Sequence, residues 1–221
     1  MPAALIAHWA AVIAQERGRA TPRTFRVWHQ GWPGKPLLWA KDPPGGPGRY
    51  HRAGGRPTWY GSTTARGAWA EFFRHFEDEI VSPFELFRRL GRADYTVLAL
   101  DLSSTRVRAA LGVTADELTA DDLAVCQMLA DLAADAGFEA VRGPSGALAG
   151  ERTLAVFGPA ILANAANVTD KGSQTAPRRL VGILRQVRLP ASTAAWLGAR
   201  YDTLAVWMER TLARSRSRRR R

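Results

Sequence analysis

Apolar and polar residues alternate along the first third of the chain with two distinct periods. Over residues 3–17 the apolar positions recur at spacings of three and four, which predicts an amphipathic helix ending at Gly18. Residues 24–29 alternate with a period of two, which predicts a strand. A short strand is predicted at 58–61, and helical spacing returns over residues 64–76 with an aromatic face.

The rest of the chain mixes helix and strand signals. Ser82 precedes a proline and lies three residues before Glu85, a capping-box pattern that predicts a short helix ending at Gly91. A second cap signal at 119–122 predicts a helix ending at Gly137. Because no regular strand–helix repeat is present, we predict an α+β fold with a mixed β-sheet core and flanking helices rather than a doubly wound sheet. The other predicted elements are strands at 94–102, 138–141, 153–157 and 180–189 and a helix over 192–213.

Residues 31–57 interrupt this pattern with a long stretch rich in glycine and proline. Loops of this length inside a compact domain are either functional or disordered. Trp32, Trp39 and Tyr50 lie within the stretch together with several cations, and such residues are not typical of a plain linker. These residues therefore argue against a plain linker at 31–57.

Length and composition indicate an ordinary globular protein. The chain has 221 residues, of which 46% are hydrophobic and 23% charged, and these values favour one domain with a core. No apolar stretch approaches the ~18 residues that cross a bilayer. Of the net charge of +11, residues 209–221 contribute +6 through seven arginines and one glutamate. Such a tail is typically solvated, and it could also bind nucleic acid or an acidic protein surface.

Cysteine and histidine are too few, or too unfavourably spaced, for a disulfide, a zinc site or a serine–histidine catalytic pair. Cys126 is the single cysteine, which excludes an intrachain disulfide and a multi-cysteine zinc site and suits the cytoplasm. The four histidines lack the spacing of a zinc-binding helix, so we expect no metal. The turn at 143–147, Gly-Pro-Ser-Gly-Ala, approaches a nucleophile elbow, but no histidine follows His75 to serve as the base.

Three short motifs are more informative together than apart. Arg49 lies in Gly-Arg-Tyr-His, Tyr60 in Trp-Tyr-Gly-Ser, and Glu71 in Ala-Trp-Ala-Glu, at successive intervals of eleven residues. This order resembles the RES-domain family, which is named for its Arg, Glu and Ser. Arg26 resembles the arginine of the family's first strand, and Ser145 resembles the serine before its late strand. The resemblance runs over residues 24–190.

The resemblance implies a fold similar to the ADP-ribosyltransferase toxins and an enzyme that degrades NAD+. Characterised members cleave the ribose–nicotinamide bond by phosphorolysis, and many are toxins paired with an antitoxin protein. We therefore expect NAD+ as a substrate rather than a cofactor, with inorganic phosphate or water as the acceptor. The implied organisation is an N-terminal helix at 1–20, a RES-like catalytic domain at 21–213 that includes the C-terminal helix, and a disordered Arg-rich tail at 214–221.

The resemblance also implies roles for six residues. Glu71 is expected to stabilise positive charge on the ribose, Arg49 to hold phosphate groups, and Ser145 to position ribose or nicotinamide, and these three are the expected catalytic residues. One carboxylate suffices because nicotinamide leaves neutral and needs no proton. The expected substrate-binding residues are Arg26, on the phosphates, and the aromatic residues Tyr60 and Trp28.

Several alternatives stay open at this point. Gly54-Gly55-Arg56 is a rival to the Gly48-Arg49 motif, and the spacing favours Arg49. The same site could transfer ADP-ribose to a macromolecule instead of degrading NAD+. The domain could also be a catalytically inactive module that binds nucleic acid through its basic tail.

Overall fold

We analysed the protein as a computed structural model that describes residues 1–31, 46–75, 86–163, 168–174 and 186–191, together with residues 193 and 195. Six helices and seven strands with described bounds lie within these residues, and residues 191, 193 and 195 are also helical. The helices are α1 (Ala3–Arg19), α2 (Ala65–Arg74), α3 (Thr105–Leu111), α4 (Ala115–Thr119), α5 (Ala124–Asp135) and α6 (Gly158–Ala163). The strands are β1 (Arg23–Gly31), β2 (Thr58–Ser62), β3 (Arg88–Val97), β4 (Ala99–Asp101), β5 (Ala140–Pro144), β6 (Arg152–Phe157) and β7 (Val168–Gln174).

The seven strands of the described chain form one mixed sheet in the order β4-β5-β6-β2-β1-β3-β7. β4 and β5 run parallel, and every other neighbouring pair is antiparallel. Helices flank this sheet without a regular strand–helix alternation. The predicted α+β class with a mixed β-sheet core is confirmed.

Alternation along the strands divides the core between the two faces of the sheet. In β6, Ala155 packs into one apolar cluster while Val156 packs into the other. The first cluster includes Trp9 of α1 and Leu129 of α5, so α1 packs against the body of the protein. The Trp9 indole nitrogen also donates to the Leu111 carbonyl at 2.8 Å, which satisfies this buried polar group. None of the helices described is long and apolar enough to cross a membrane.

Most of the predicted elements in the first half of the chain are present. α1, β1, β2 and α2 follow the predicted order, with small shifts at their ends. The predicted helix ending at Gly91 is wrong for residues 88–91, which begin β3. β3 pairs with β1 from Arg23 to Gly31, and this long-range ladder overrides the local cap signal. The capping residues 82–85, and Trp32 and Trp39 of the predicted loop, lie outside the described residues.

The second half departs further from the prediction. The predicted strand 94–102 is divided at Leu98 between β3 and β4, and the described end of the predicted strand 180–189 forms only an isolated bridge from Val187 to Leu148. The sequence analysis missed α3, α4, α6 and β7. Residues 193 and 195 are helical, as predicted, and the rest of the final helix and the tail at 214–221 lie outside the described residues. The proposed division at residues 20 and 213 stays a prediction.

Candidate active site

A cavity of about 940 Å³ lies on the sheet face that carries Trp28, Tyr60 and Ser62. The central strands β1 and β2 form its floor, and α2 forms one wall. The turn at 46–51 and residues 190–191 form much of its rim. Because these segments are distant in sequence, the cavity depends on the completed fold.

Glu71 and Ser145 meet beside this cavity. Ser145 Oγ donates to Glu71 Oε1 at 2.8 Å and accepts from the Ala147 and Leu148 amides at 3.1 and 3.3 Å. The two backbone amides therefore orient the serine hydroxyl, and its proton is directed to the carboxylate. The buried Ser145 positions the half-buried Glu71, and the arrangement does not resemble a serine nucleophile with its base.

Local sequence explains how α2 presents Glu71. Thr64 is the N-cap, and its side-chain oxygen accepts from the Gly67 amide at 2.9 Å. Trp69 and Phe73 are buried on one side of the helix. The helical period then places Glu71, which lies between them, on the side that lines the cavity.

Tyr60 binds the turn formed by residues 48–51. Its hydroxyl oxygen accepts from the Tyr50 amide at 2.8 Å and lies 2.8 Å from His51 Nδ1. His51 Nε2 donates to the Gly46 carbonyl at 3.1 Å, so Nδ1 of the neutral ring is the acceptor and the Tyr60 hydroxyl donates to it. Burial lowers the pKa of His51, which favours this neutral state, and burial also raises the pKa of Tyr60.

The glycine of the Gly-Arg-Tyr-His motif is required by close packing. A Cβ atom at Gly48 would overlap the His51 ring and come within 2.9 Å of the Tyr60 hydroxyl oxygen. The glycine therefore allows the turn to close, with Gly48 and His51 bonded through both of their backbone amides.

Arg49 projects from this turn into the wall of the cavity. Its Nη1 donates to the carbonyls of Leu118 and Ala120 at 2.8 and 2.9 Å, at the C-terminal end of α4. Gly146 makes room for the guanidinium, since a Cβ atom there would lie 3.1 Å from Arg49 Cζ. The rival Arg56 lies over the Phe157 ring, 5.2 Å from its centroid, and is not among the residues that line the cavity. Of the two arginines, Arg49 is the one at this site.

Arg74 also lines the cavity, and the sequence analysis missed it. Its side chain is only 5% exposed and donates to the Gly146 carbonyl at 2.9 Å and to Asp121 Oδ1 at 2.7 Å. Burial lowers the pKa of Arg74, and the nearby charges of Glu71 and Asp121 oppose that change. Its position three residues after Glu71 places both on one helix face, and this spacing was the available signal.

Residues 186–191, here called the strap, complete the rim. The Arg188 amide donates to the Ala147 carbonyl at 2.8 Å, and the Arg188 carbonyl accepts from Arg74. The Ala191 amide donates to Asp121 Oδ2 at 2.9 Å. Asp121 therefore binds both Arg74 and the strap, and it positions Ala191 at the cavity.

The structure does not bring Arg26 to the site, contrary to the expectation from the sequence. Arg26 lies on β1 directly opposite Asp94 of β3, and its Nε and Nη2 donate to the two carboxylate oxygens at 2.9 and 3.1 Å. Its side chain is 60% exposed, and it is not among the residues that line the cavity. Trp28, two residues later on the same face of β1, does line the cavity. The structure therefore gathers Glu71, Ser145, Arg49, Tyr60 and Trp28 without Arg26.

β1 and β2 are also joined beneath the cavity by His29. Its Nδ1 donates to the Tyr60 carbonyl at 2.6 Å, and its ring lies 4.9 Å from that of Trp59. Burial lowers the pKa of His29 to about 4, and the charge of Arg88 acts in the same direction. The imidazole is therefore neutral at pH 7.

Known proteins resemble this chain in sequence and in fold. Residues 21–179 match the model of the RES domain. A Mycobacterium tuberculosis protein named "Probable NAD(+) phosphorylase" is 45% identical over 180 residues, which cover 80% of this chain and 85% of the relative. The crystal structure of the M. tuberculosis MbcT–MbcA toxin–antitoxin complex includes a chain of similar fold, with a TM-score of 0.59 and 20% identity over 76% of this chain and 94% of that one. The resemblance inferred from the three motifs is confirmed, and the chain belongs to the RES domain family.

Proposed function

We propose that this protein degrades NAD+ by breaking the bond between ribose and nicotinamide. The observation that carries the proposal is the Ser145–Glu71 hydrogen bond in a cavity lined by Arg49 and Tyr60. Membership of the RES family and 45% identity to a relative named as an NAD(+) phosphorylase support the same reaction. A volume of about 940 Å³ lies within the range of clefts that enclose small organic ligands.

Glu71 provides the negative charge for this reaction. Cleavage leaves positive charge on the ribose, and a fixed carboxylate stabilises that charge without having to reorganise. Ser145 occupies Oε1, so Oε2 can accept from a ribose hydroxyl. Since nicotinamide departs as a neutral base, no residue has to donate a proton to it. This agrees with the Tyr60 hydroxyl, whose proton is directed to His51.

Two aromatic residues and two arginines are suited to bind the rings and the phosphates of NAD+. Tyr60 and Trp28 line the cavity and offer ring faces on which nicotinamide or adenine stacks. Arg49 and Arg74 both contact Gly146, and their positive charges favour a pyrophosphate or a phosphate acceptor nearby. Three arginines and two carboxylates of the described chain line the cavity, and this net positive charge supports phosphate as the acceptor in preference to water.

The biological role that we propose is that of a toxin neutralised by an antitoxin protein. The family resemblance and the similar fold of a chain in a toxin–antitoxin complex support this part of the proposal. In cells, expression of the protein should deplete NAD+ and stop growth. The Glu71→Gln variant, expressed at the same level, should do neither.

One experiment decides among the reactions open to this site. The purified protein is incubated with NAD+ in the presence and absence of inorganic phosphate, and all products are identified by mass spectrometry. We expect nicotinamide and ADP-ribose-1″-phosphate when phosphate is present. Free ADP-ribose in both conditions would indicate hydrolysis, modified protein would indicate ADP-ribosyl transfer, and unchanged NAD+ would refute the proposal.

A further inference from the structure

The Gln30 side chain lies at the cavity wall on β1 with its hydrogen-bonding capacity unused. Both Nε2 and Oε1 are buried, and neither has a hydrogen-bond partner within the part of the chain that the structure describes. Gln30 lines the cavity two residues after Trp28, on the same face of the strand. The amide is therefore a polar group in the binding region that the described residues leave unsatisfied.

The neighbours of Gln30 on the sheet account for the lack of a partner among the described residues. β1 pairs with β3 so that Gln30 lies opposite Leu90, which is buried, apolar and without a side-chain donor or acceptor. On its other side β1 pairs with β2, where the Tyr60 hydroxyl is already bonded to the Tyr50 amide and to His51.

Burial of such an amide lowers the stability of the folded protein unless a ligand binds it. A buried polar group without a partner destabilises the folded state, whereas a methionine of similar size would fill the same space with no such cost. A glutamine kept at a cavity wall under these conditions fits a role in binding a ligand better than a role in packing.

We propose that Gln30 is a specificity-determining residue that reads an amide-type edge of the dinucleotide. A glutamine amide pairs best with a group that presents a donor and an acceptor side by side. NAD+ offers this chemistry twice, in the carboxamide of nicotinamide and in the N6/N7 edge of adenine. The inference rests on the proposed function, because it assumes that a dinucleotide enters this cavity.

Two analogues distinguish these sources. Nicotinic acid adenine dinucleotide replaces the carboxamide by a carboxylate, and nicotinamide hypoxanthine dinucleotide replaces the adenine amino group by a carbonyl oxygen. Wild-type protein and Gln30→Met are compared for kcat/KM on NAD+ and both analogues. Affinities are measured by calorimetry in a Glu71→Gln background, where substrate is consumed only slowly.

The wild type should prefer NAD+ over the analogue that Gln30 reads by about 10- to 100-fold, because the altered edge leaves the amide mismatched. In Gln30→Met this preference should fall to within about threefold, while discrimination against the other analogue is retained. Loss of discrimination against the nicotinic acid analogue assigns Gln30 to the carboxamide, and loss against the hypoxanthine analogue assigns it to adenine. Unchanged discrimination against both analogues in Gln30→Met overturns the proposal.

Gln127 provides a matched control for packing. It is also a buried glutamine, but its Nε2 donates to the carbonyls of Gly48 and His51, each at 3.0 Å. Gln127→Met should lower the thermal midpoint because two carbonyls lose their side-chain donor, whereas Gln30→Met should leave the midpoint unchanged or raise it. Equal destabilisation by both changes would indicate a structural role for Gln30 and overturn the proposal.

Failure of the proposed function is distinguishable from failure of this inference. If no dinucleotide is turned over but binding discriminates between the analogues in a Gln30-dependent way, only the proposed reaction is refuted. If NAD+ is cleaved and Gln30→Met discriminates as the wild type does, only the role of Gln30 is refuted. Absence of binding to all three dinucleotides would refute both.

Discussion

Two regions of the same cavity differ in whether their polar side chains are hydrogen-bonded. In the reaction cluster, defined as Glu71, Ser145, Arg49 and Tyr60, the side chains are held by hydrogen bonds to one another or to backbone groups. In the β1 wall, defined as Trp28 and Gln30, the Gln30 amide has no hydrogen-bond partner in the described structure.

This difference separates catalysis from recognition. A group that stabilises charge in the transition state works best when it is fixed before the substrate arrives, and the reaction cluster is fixed in this way. A group that distinguishes one substrate from another works best when the correct partner alone satisfies it. We therefore expect changes in the reaction cluster to lower turnover and changes in the β1 wall to alter substrate choice.

The largest effect should come from removing the charge of the reaction cluster. Glu71→Gln keeps an oxygen that can accept from Ser145 but loses the negative charge that faces the ribose. Turnover should fall by about 10²–10³-fold, with little change in the thermal midpoint or in NAD+ affinity. Steady-state kinetics, calorimetry and thermal unfolding test this. Normal turnover by the folded variant would refute the mechanism, and unfolding of the variant would indicate a structural role for Glu71.

Arg49→Lys should weaken the reaction cluster by removing hydrogen bonds to the backbone. Lysine keeps the charge but cannot donate to the carbonyls of Leu118 and Ala120 with the geometry of a guanidinium. We expect at least a roughly tenfold loss in kcat/KM together with a loss of about 2–3 kcal/mol in the free energy of unfolding. Arg56→Lys, on a side chain 30% exposed and away from the cavity, is the matched control and should change both quantities little. The opposite result would assign the family arginine to Arg56.

A pH titration tests the burial of His29, which joins β1 to β2 beneath the cavity. His29 of β1 donates to the Tyr60 carbonyl of β2, and burial lowers its pKa to about 4 from an unfolded value of 6.5. Below pH 6.5 the unfolded chain binds a proton that the folded protein does not, so stability should fall as the pH falls from 6.5 towards 4. We expect a loss of about 2 kcal/mol between pH 7 and pH 5, measured by urea unfolding. In His29→Asn this contribution should be absent, and an equal loss in that variant would contradict the prediction.

Ser145→Ala should have a smaller effect on both stability and rate. The change leaves the amides of Ala147 and Leu148 without their acceptor and frees the Glu71 carboxylate to move. The free energy of unfolding should fall by about 1–3 kcal/mol, and kcat should fall by less than in Glu71→Gln. Ser145→Thr, which restores a hydroxyl, should recover part of the lost rate if the residue acts by positioning Glu71. Full activity in Ser145→Ala would show that the carboxylate does not need this support.

The smallest effect should come from the basic tail, which belongs to neither region. Deletion from Arg214 onward should leave NAD+ turnover within a few-fold of the wild type, because residues 214–221 lie beyond both the matched RES domain, which ends at residue 179, and the strap. Any binding to nucleic acid should weaken and lose part of its salt dependence. A large loss of turnover in a folded truncation would assign the tail to the site.

The sequence indicated the site well where its residues lie in short motifs. Arg49, Tyr60 and Glu71 lie at intervals of eleven residues, and the structure brings all three to one cavity. The structure places Arg26 away from the residues that line the cavity, because a residue's surroundings on a sheet depend on the neighbouring strand. Asp94, which is distant in sequence, accepts from Nε and Nη2 of its guanidinium.

Long-range packing also explains the elements that were mispredicted or missed. The capping pattern at 82–85 is a local signal, and it did not anticipate the pairing of residues 88–97 with β1. The strap at 186–191 carries no motif, and its role arises from bonds to Arg74, Asp121 and Ala147. Neither Asp121 nor Arg74 could be connected with the strap from spacing, because more than 60 residues separate each from it.

The hydrogen bonds of the cavity have a consequence for the order of events during synthesis. Ser145 binds Glu71 across 74 positions of sequence, Arg49 binds Leu118 across 69, and Arg74 binds Arg188 across 114. Contacts of such separation form late, since the intervening chain must first be made and ordered. A chain still emerging from the ribosome, with Ser145 and the strap not yet released, therefore lacks the groups that fix Glu71. In the cell, the protein should therefore become active only after synthesis has passed the strap.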